Sequence, residues 1–232
     1  MCGRFTLTTS PEELQAAFDW LKMPPQAGEA QPGGPRYNIT PTQPVAVVPN
    51  DGRNRLDFFT WGLIPYWAKD PSLGSRLINA RAETLAEKPA FRSAFRRRRC
   101  LILADGFYEW QAIPGRKSKQ PFFIALADRR PFAFGGLWEL WNSPDGSQVY
   151  SCTIITTEPN SLMAGIHNRM PLILPPENYP EWLNPHEQRP EALQALLQPY
   201  AADQMVAYPV SSLVNSPAND SPELVEPLRG TD

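Results

Sequence analysis

Residues 99–110 read RCLILADGFYEW. The first half is an unbroken apolar run. Asp105-Gly106 then supplies a turn signal, and Phe107, Tyr108 and Trp110 follow as aromatic strand formers. Five other short runs have the same make-up: QPVAVVP (43–49), RLDFFTWGLIP (55–65), QPFFIALA (120–127), PFAFGGLWEL (131–140) and SQVYSCTIITT (147–157). Gly, Pro, Asp and Asn punctuate them. Six such runs predict a closed or nearly closed antiparallel sheet, because closure removes exposed strand edges.

Helical signals flank this sheet. In TSPEELQAAFDWL (9–21), Ser10 reads as an N-cap, Pro11 as the first helical residue, and Glu13 as the partner in a capping box. Leu14, Ala17, Phe18 and Leu21 recur at helical spacing. PENYPEWLNP (176–185) is a short helical piece, and RPEALQALLQPY (189–200) puts Leu193, Leu196 and Leu197 on one face. VAYPVSS (206–212) reads as a last strand, whereas PPQAGEAQPGGP (24–35) reads as a connecting loop. The expected fold is α+β: a strand-rich, barrel-like antiparallel sheet with flanking helices. It forms one domain over residues 1–227, followed by a loose tail at 228–232.

Composition narrows the functional classes. The 232 residues carry 22 basic and 24 acidic side chains, for a net charge of −2. No global positive field draws nucleic acid, so any such site is a local patch. No apolar run approaches the roughly 18 residues of a membrane span, and no basic-then-apolar leader opens the chain. The expected location is the cytoplasm. Cys2, Cys100 and Cys152 are odd in number and far apart, which points away from a disulfide framework or a zinc site. With only His167 and His186 present, a histidine-rich metal site is nearly excluded. Neither a metal nor a cofactor is expected.

Four stretches concentrate polar groups: MCGRF (1–5), LINARAET (77–84), ADGFYEW (104–110) and AGIHNRMPLIL (164–174). Each has an ordinary reading. Asn79 can cap a turn, Arg81 and Glu83 can be an exposed strand pair, Glu109 can face solvent, and His167 can be a satisfied loop histidine. Tyr108, Trp110, Trp61 and Trp67 are usually core or rim. The run Arg96–Arg99 is either a solvated face or a phosphate-binding patch.

Together the groups suit one chemistry. Cysteine is small enough for Met1 to be trimmed, which leaves Cys2 with an α-amine beside a thiol. An α-amine with a pKa of about 7.7–8.0 is partly neutral at pH 7, unlike a lysine near 10.4. A neutral amine forms a Schiff base with an aldehyde. The adjacent thiol then adds to the imine and closes a thiazolidine. Glutamate beside an aromatic wall can supply the proton that removes water, histidine can serve a second transfer, and asparagine can orient the amine without titrating.

MCGRF, RYNITP, WGLIPYWAKD, INARAET, ADGFYEW, QPFFI, IHNRMPLIL and YPVSSLVNSPANDSPELVEP, in this order, resemble the SOS response-associated peptidase family, the SRAP domain. The resemblance runs from Met1 to about Pro227. It implies a protein that senses abasic sites in single-stranded DNA and caps them covalently through Cys2 after removing its own Met1. By the same resemblance, the catalytic residues are Cys2, Asn79, Glu109 and His167. It assigns Arg4, Arg81 and Arg169 to phosphates, and Asn38, Pro41 and Trp67 to the displaced bases. The family's second aromatic falls on Ala68, which leaves Trp67 alone as a stacking platform. The expected partner is single-stranded DNA carrying an abasic site, met by a monomer on the nucleoid. Two other readings compete: an N-terminal-nucleophile glutamine amidotransferase, which also opens Met-Cys-Gly, and a single-strand binding module whose cysteine is incidental.

Overall fold

The computed structural model describes residues 2–23 and 34–228. Met1, most of the 24–35 loop and residues 229–232, nearly all of the expected tail, lie outside the described residues.

Two sheets organise the chain. The first contains a closed barrel of five strands: β3 (Pro44–Pro49), β4 (Asp57–Trp61), β6 (Arg99–Ala104), β9 (Phe132–Asn142) and β10 (Gln148–Thr157). The order is β10-β4-β3-β6-β9, and β9 returns to pair with β10. Short strands β5 (Asn79–Arg81) and β11 (Met170–Pro171) add to β10, and β12 (Ile173–Leu174) adds to β9. The second sheet has the order β13-β8-β7-β1-β2. Its members are β1 (Phe5–Leu7), β2 (Arg36–Ile39), β7 (Gly106–Gln111), β8 (Gln120–Leu126) and β13 (Met205–Pro209).

The strand-rich α+β expectation holds, with two refinements. Residues 99–110 form two strands in different sheets: β6 ends at Ala104, and β7 begins at Gly106. Asp105 marks the crossing and is held by hydroxyls and amides of β1 and the segment that follows it. It accepts from Thr6 Oγ1, from Thr8 Oγ1 at 2.8 Å and from the Thr9 amide at 2.9 Å. The barrel is also mixed in direction. β10 runs parallel to β4, with Ser151 opposite Thr60, and parallel to β5, with Ile154 opposite Asn79.

Side-chain alternation explains how both faces of the barrel wall are buried. Val45 and Val47 of β3, with Cys100, Ile102 and Ala104 of β6, join a cluster containing Cys2, Phe5, Phe107 and Trp61. Ala46, Val48, Leu101 and Leu103 join another containing Leu14, Phe95, Trp182 and Leu193. The second sheet covers the first face, and the helices cover the other. Fully burying one such aliphatic or aromatic side chain contributes about 1.5–3 kcal/mol.

The helix Pro11–Ala17 starts as expected: the Glu13 amide donates to Ser10 Oγ, and the Ser10 amide donates to Glu13 Oε2. It ends early, so Ala17 is exposed, while Leu14, Phe18 and Leu21 are buried. The arginine run divides. Arg99 is fully buried, and its guanidinium donates to the carbonyls of Phe95, Arg96, Trp182 and Asn184, tying two helix C-termini together. Burial pulls its pKa down to about 10. Arg98 pairs with Glu139 at 2.7 Å, whereas Arg96 and Arg97 are exposed. Among the described residues, no helix is long and apolar enough to cross a membrane.

Candidate active site

The site lies on the seam between the two sheets. Glu109 comes from the second sheet and Cys2 from the segment leading into its strand β1, and Asn79 and His167 come from the barrel side. Backbone pairing sets the first two. Phe5 lies opposite Phe107, and the Tyr108 amide donates to the Arg4 carbonyl at 3.0 Å. Continuing that register brings the Cys2 end of β1 level with Glu109. Trp61 sets the other pair against them. Its ring meets Phe5 edge-on at 5.1 Å, while its indole N–H donates to the Ile78 carbonyl at 2.9 Å, one residue before Asn79.

Asn79 then reaches Cys2 directly: its Nδ2 donates to the Cys2 carbonyl at 2.8 Å. Its Oδ1 is buried, and no donor reaches it among the described residues. Cys2 is itself fully buried, with Sγ 3.9 Å from the Arg4 carbonyl. Burial, followed by the charge of Glu109, pushes the thiol well above its ordinary pKa. Cys2 is therefore a thiol, not a thiolate, at neutral pH.

Glu109 is buried on β7, with Oε2 4.0 Å from His167 Nε2. His167 follows the short helix Ser161–Ala164, and its amide donates to the Met163 carbonyl at 2.8 Å. Gln111, two residues beyond Glu109, donates to the Gly165 carbonyl at 2.7 Å and docks this loop on β7. On the far side of the ring, Nδ1 lies 3.1 Å from the Arg169 amide and 3.2 Å from the Arg169 carbonyl. A neutral ring with its proton on Nε2 accepts from that amide. A protonated ring donates to that carbonyl. The Arg169 backbone thus offers Nδ1 both a donor and an acceptor.

Comparison with known proteins places the chain in a family. The model described as SOS response associated peptidase (SRAP) matches residues 1–217. The chain belongs to the SRAP family. It is 53% identical over 227 residues to the abasic site processing protein YoqW of Bacillus subtilis (strain 168), covering 97% of this chain and 99% of that one. The abasic site processing protein HMCES of Rattus norvegicus is 31% identical over 270 residues, covering 98% of this chain and 76% of that protein. A crystal structure of a protein from Bacteroides thetaiotaomicron superposes with a TM-score of 0.86 at 26% identity, covering 97% and 99% of the two chains.

The residues expected to meet DNA are more divided than the SRAP resemblance implied. Arg81 is exposed. Arg169 is clamped instead: Nη1 and Nη2 bind Glu83 at 2.6 and 3.0 Å, and Nη2 also donates to the Thr156 carbonyl. Glu83 thus pairs with Arg169 and not with Arg81. Arg4 donates to Asn38 Oδ1 at 2.8 Å and to the carbonyls of Val214 and Asn215.

Asn38, expected near a displaced base, is engaged inside the protein. It is 1% exposed, and its Nδ2 donates to the carbonyls of Val214, Ser216 and Asn219. Pro41 is half-buried in the turn before β3. There Thr42 adopts a φ of +72°, uncommon for a β-branched residue, and its amide donates to the Trp61 carbonyl at 2.7 Å. Trp67 is 49% exposed, as a stacking platform must be, and Ala68 is buried. Sequence reasoning missed Tyr66, which is 59% exposed beside Trp67. The quoted motif WGLIPYWAKD contained it, but exposure is not legible from residue type. Among the described residues, no group of three or more His, Cys, Asp or Glu side chains is placed to hold a metal ion.

Proposed function

We propose that this protein recognises abasic sites in single-stranded DNA and caps them covalently through Cys2 after Met1 has been removed. The observation that carries this is the placement of Asn79 on the Cys2 carbonyl with Glu109 beside the thiol. The abasic site processing activity named for YoqW and HMCES supports the same reading.

The neutral α-amine of Cys2 attacks the C1 aldehyde of the opened abasic sugar. The carbinolamine takes a proton from the Glu109–His167 pair and loses its hydroxyl as water, which leaves an iminium; its N–H proton returns to the pair and gives the imine. The Cys2 thiol then adds across the imine: sulfur bonds to carbon, and the thiol proton passes to nitrogen. The product is a five-membered thiazolidine. The order is amine first, thiol second, because the imine that the thiol attacks exists only after the amine has reacted. Asn79 holds the Cys2 peptide, and its buried Oδ1 is an acceptor for the amine N–H.

An abasic sugar is reached most easily on a flexible strand, which favours single-stranded over duplex substrate. Exposed Arg81 supplies local phosphate attraction in a chain of net charge −2, and binding weakens as salt rises. Tyr66 and Trp67 offer stacking surface to flanking bases. We place the activity in a monomer in the cytoplasm, where the three free thiols stay reduced.

Intact-mass spectrometry after mixing with an abasic oligonucleotide tests the reading. The expected product is the sum of Met1-free protein and oligonucleotide less one water. Recovery of the two unlinked masses from protein lacking Met1 overturns it. Glutamine hydrolysis releasing ammonia would instead favour the amidotransferase reading.

A further inference from the structure

The motif YPVSSLVNSPANDSPELVEP (208–227) has no role in the chemistry above, yet the structure sets it across the strands that carry that chemistry. Residues 211–220 form a strap over β2, β1 and β7. Ser212–Asn215 is a 3-10 turn capped by Ser211, and Val214 is buried with Tyr108, Phe123 and Leu224. The strap is fastened at both ends. Asn219 Nδ2 donates to the Leu213 carbonyl at 2.8 Å. The Asp220 carboxylate accepts from Arg36 Nε at 2.9 Å and from the amides of Tyr37 and Asn38. Asn38 reaches back from β2 to three strap carbonyls.

At its centre, Asn215 meets both of the segments that carry Cys2 and Glu109. Its carbonyl accepts from Arg4 Nη2 at 3.1 Å, two residues from Cys2. Its side-chain Oδ1 accepts from the Trp110 indole N–H at 2.7 Å, the residue after Glu109. We propose that Asn215 is a positioning residue that fixes the Cys2 end of β1 against Glu109 on β7. This rests on the covalent-capping reading of Cys2.

The physical need is clear from the ladder. β1 is only three residues long, and its pairing with β2 is irregular between Phe5 and Leu7. Cys2 lies beyond the last ladder residue, so backbone pairing alone leaves its spacing to Glu109 loosely set. Small misplacements of reacting groups cost large factors in rate. Asn215 is exposed and adds little to the core, so its removal is expected to alter geometry more than stability.

The test is single-turnover adduct formation on an abasic single strand, followed across strand concentration, with thermal midpoints measured in parallel. Asn215→Ala is expected to lower the saturated rate about tenfold and to leave the half-saturating concentration within about twofold. Asn215→Asp keeps an acceptor for the indole and is expected to restore most of the rate. Trp110→Phe keeps a ring without the N–H and is expected to match Asn215→Ala, and the double variant to be no slower than either single. It also reads out the same contact should Asn215→Ala fail to fold. A wild-type saturated rate in Asn215→Ala and Trp110→Phe overturns the proposal. A raised half-saturating concentration with an unchanged saturated rate also overturns it, by making Asn215 a strand contact. A wild-type protein that forms no adduct overturns the capping reading itself, and the positioning role with it.

Discussion

Asn79 holds the carbonyl of Cys2 with a 2.8 Å hydrogen bond from its side-chain amide. The bond joins Asn79, on a strand that adds to the barrel, to the segment that leads into β1 of the second sheet. It fixes the peptide that follows the reactive amine. Asn79→Ala removes the donor, and Asn79→Asp replaces it with an acceptor facing an acceptor. Both are expected to slow covalent capture about 10- to 100-fold. Affinity for an undamaged single strand is expected to stay within about twofold of wild type. Quenched time courses beside a binding titration separate the two quantities.

In the proposed mechanism Glu109 and His167 divide the proton work. Glu109→Gln keeps the shape of the buried side chain and removes its titrating oxygen. Adduct formation is expected to fall about 10²- to 10⁴-fold under single-turnover conditions. His167→Gln is expected to fall less, because Glu109 remains beside the thiol. Wild-type rates in Glu109→Gln would contradict the assignment.

The Glu83–Arg169 pair makes a pH-dependent contribution to stability. The hydrogen bond from Arg169 is the largest of the effects that hold the Glu83 carboxyl below its ordinary pKa, against the opposing effect of burial. A carboxylate with a lowered folded-state pKa adds stability above its unfolded value, about 4.3, and loses it as pH falls through the folded value. Glu83 is half exposed, so solvent screening limits the contribution to about 0.5 kcal/mol. The thermal midpoint of Glu83→Gln is expected to lie below wild type at pH 7 and to converge with it as acid protonates Glu83. A gap that widens in acid would refute this account.

Gly106 opens the strand that bears Glu109. A Cβ placed there lies 2.1 Å from Phe123 Cζ, and Phe123 is itself packed edge-on against Tyr108. Gly106→Ala is expected to cost about 1–3 kcal/mol in chemical denaturation and to slow capture by shifting β7.

The legible features are those governed by local chemistry. The capping box at Ser10–Glu13, the apolar runs that became β3, β4, β6, β8, β9 and β10, and the placement of Asn79, Glu109 and His167 in or beside short strands all follow from neighbouring residues. Long-range consequences were not legible. Nothing in residues 147–157 announces that β10 takes parallel partners, because parallel and antiparallel strands share the same propensities. The turn signal at Asp105-Gly106 is legible in the run at 99–110, but residue type does not show that the strands on either side of it join different sheets.

Asn38 and Arg4 had the polarity of ligand contacts. Their partners lie about 180 and 210 positions away in the strap, and sequence spacing carries no such information. Arg99 shows the same limit, since it looks identical to its neighbours Arg96 and Arg97 until Trp182 and Asn184 fold against it.

The most direct test of the central claim compares wild type, Cys2→Ala and Cys2→Ser on a single-stranded oligonucleotide with one abasic site, run on a denaturing gel with and without borohydride. The account predicts a heat-stable shifted band for wild type without reductant. It predicts a band for Cys2→Ser and Cys2→Ala only when borohydride traps the imine, since both keep the α-amine and lack the thiol. A wild-type band that needs borohydride, or a Cys2→Ala band that survives heating without it, would contradict capture by the Cys2 thiol.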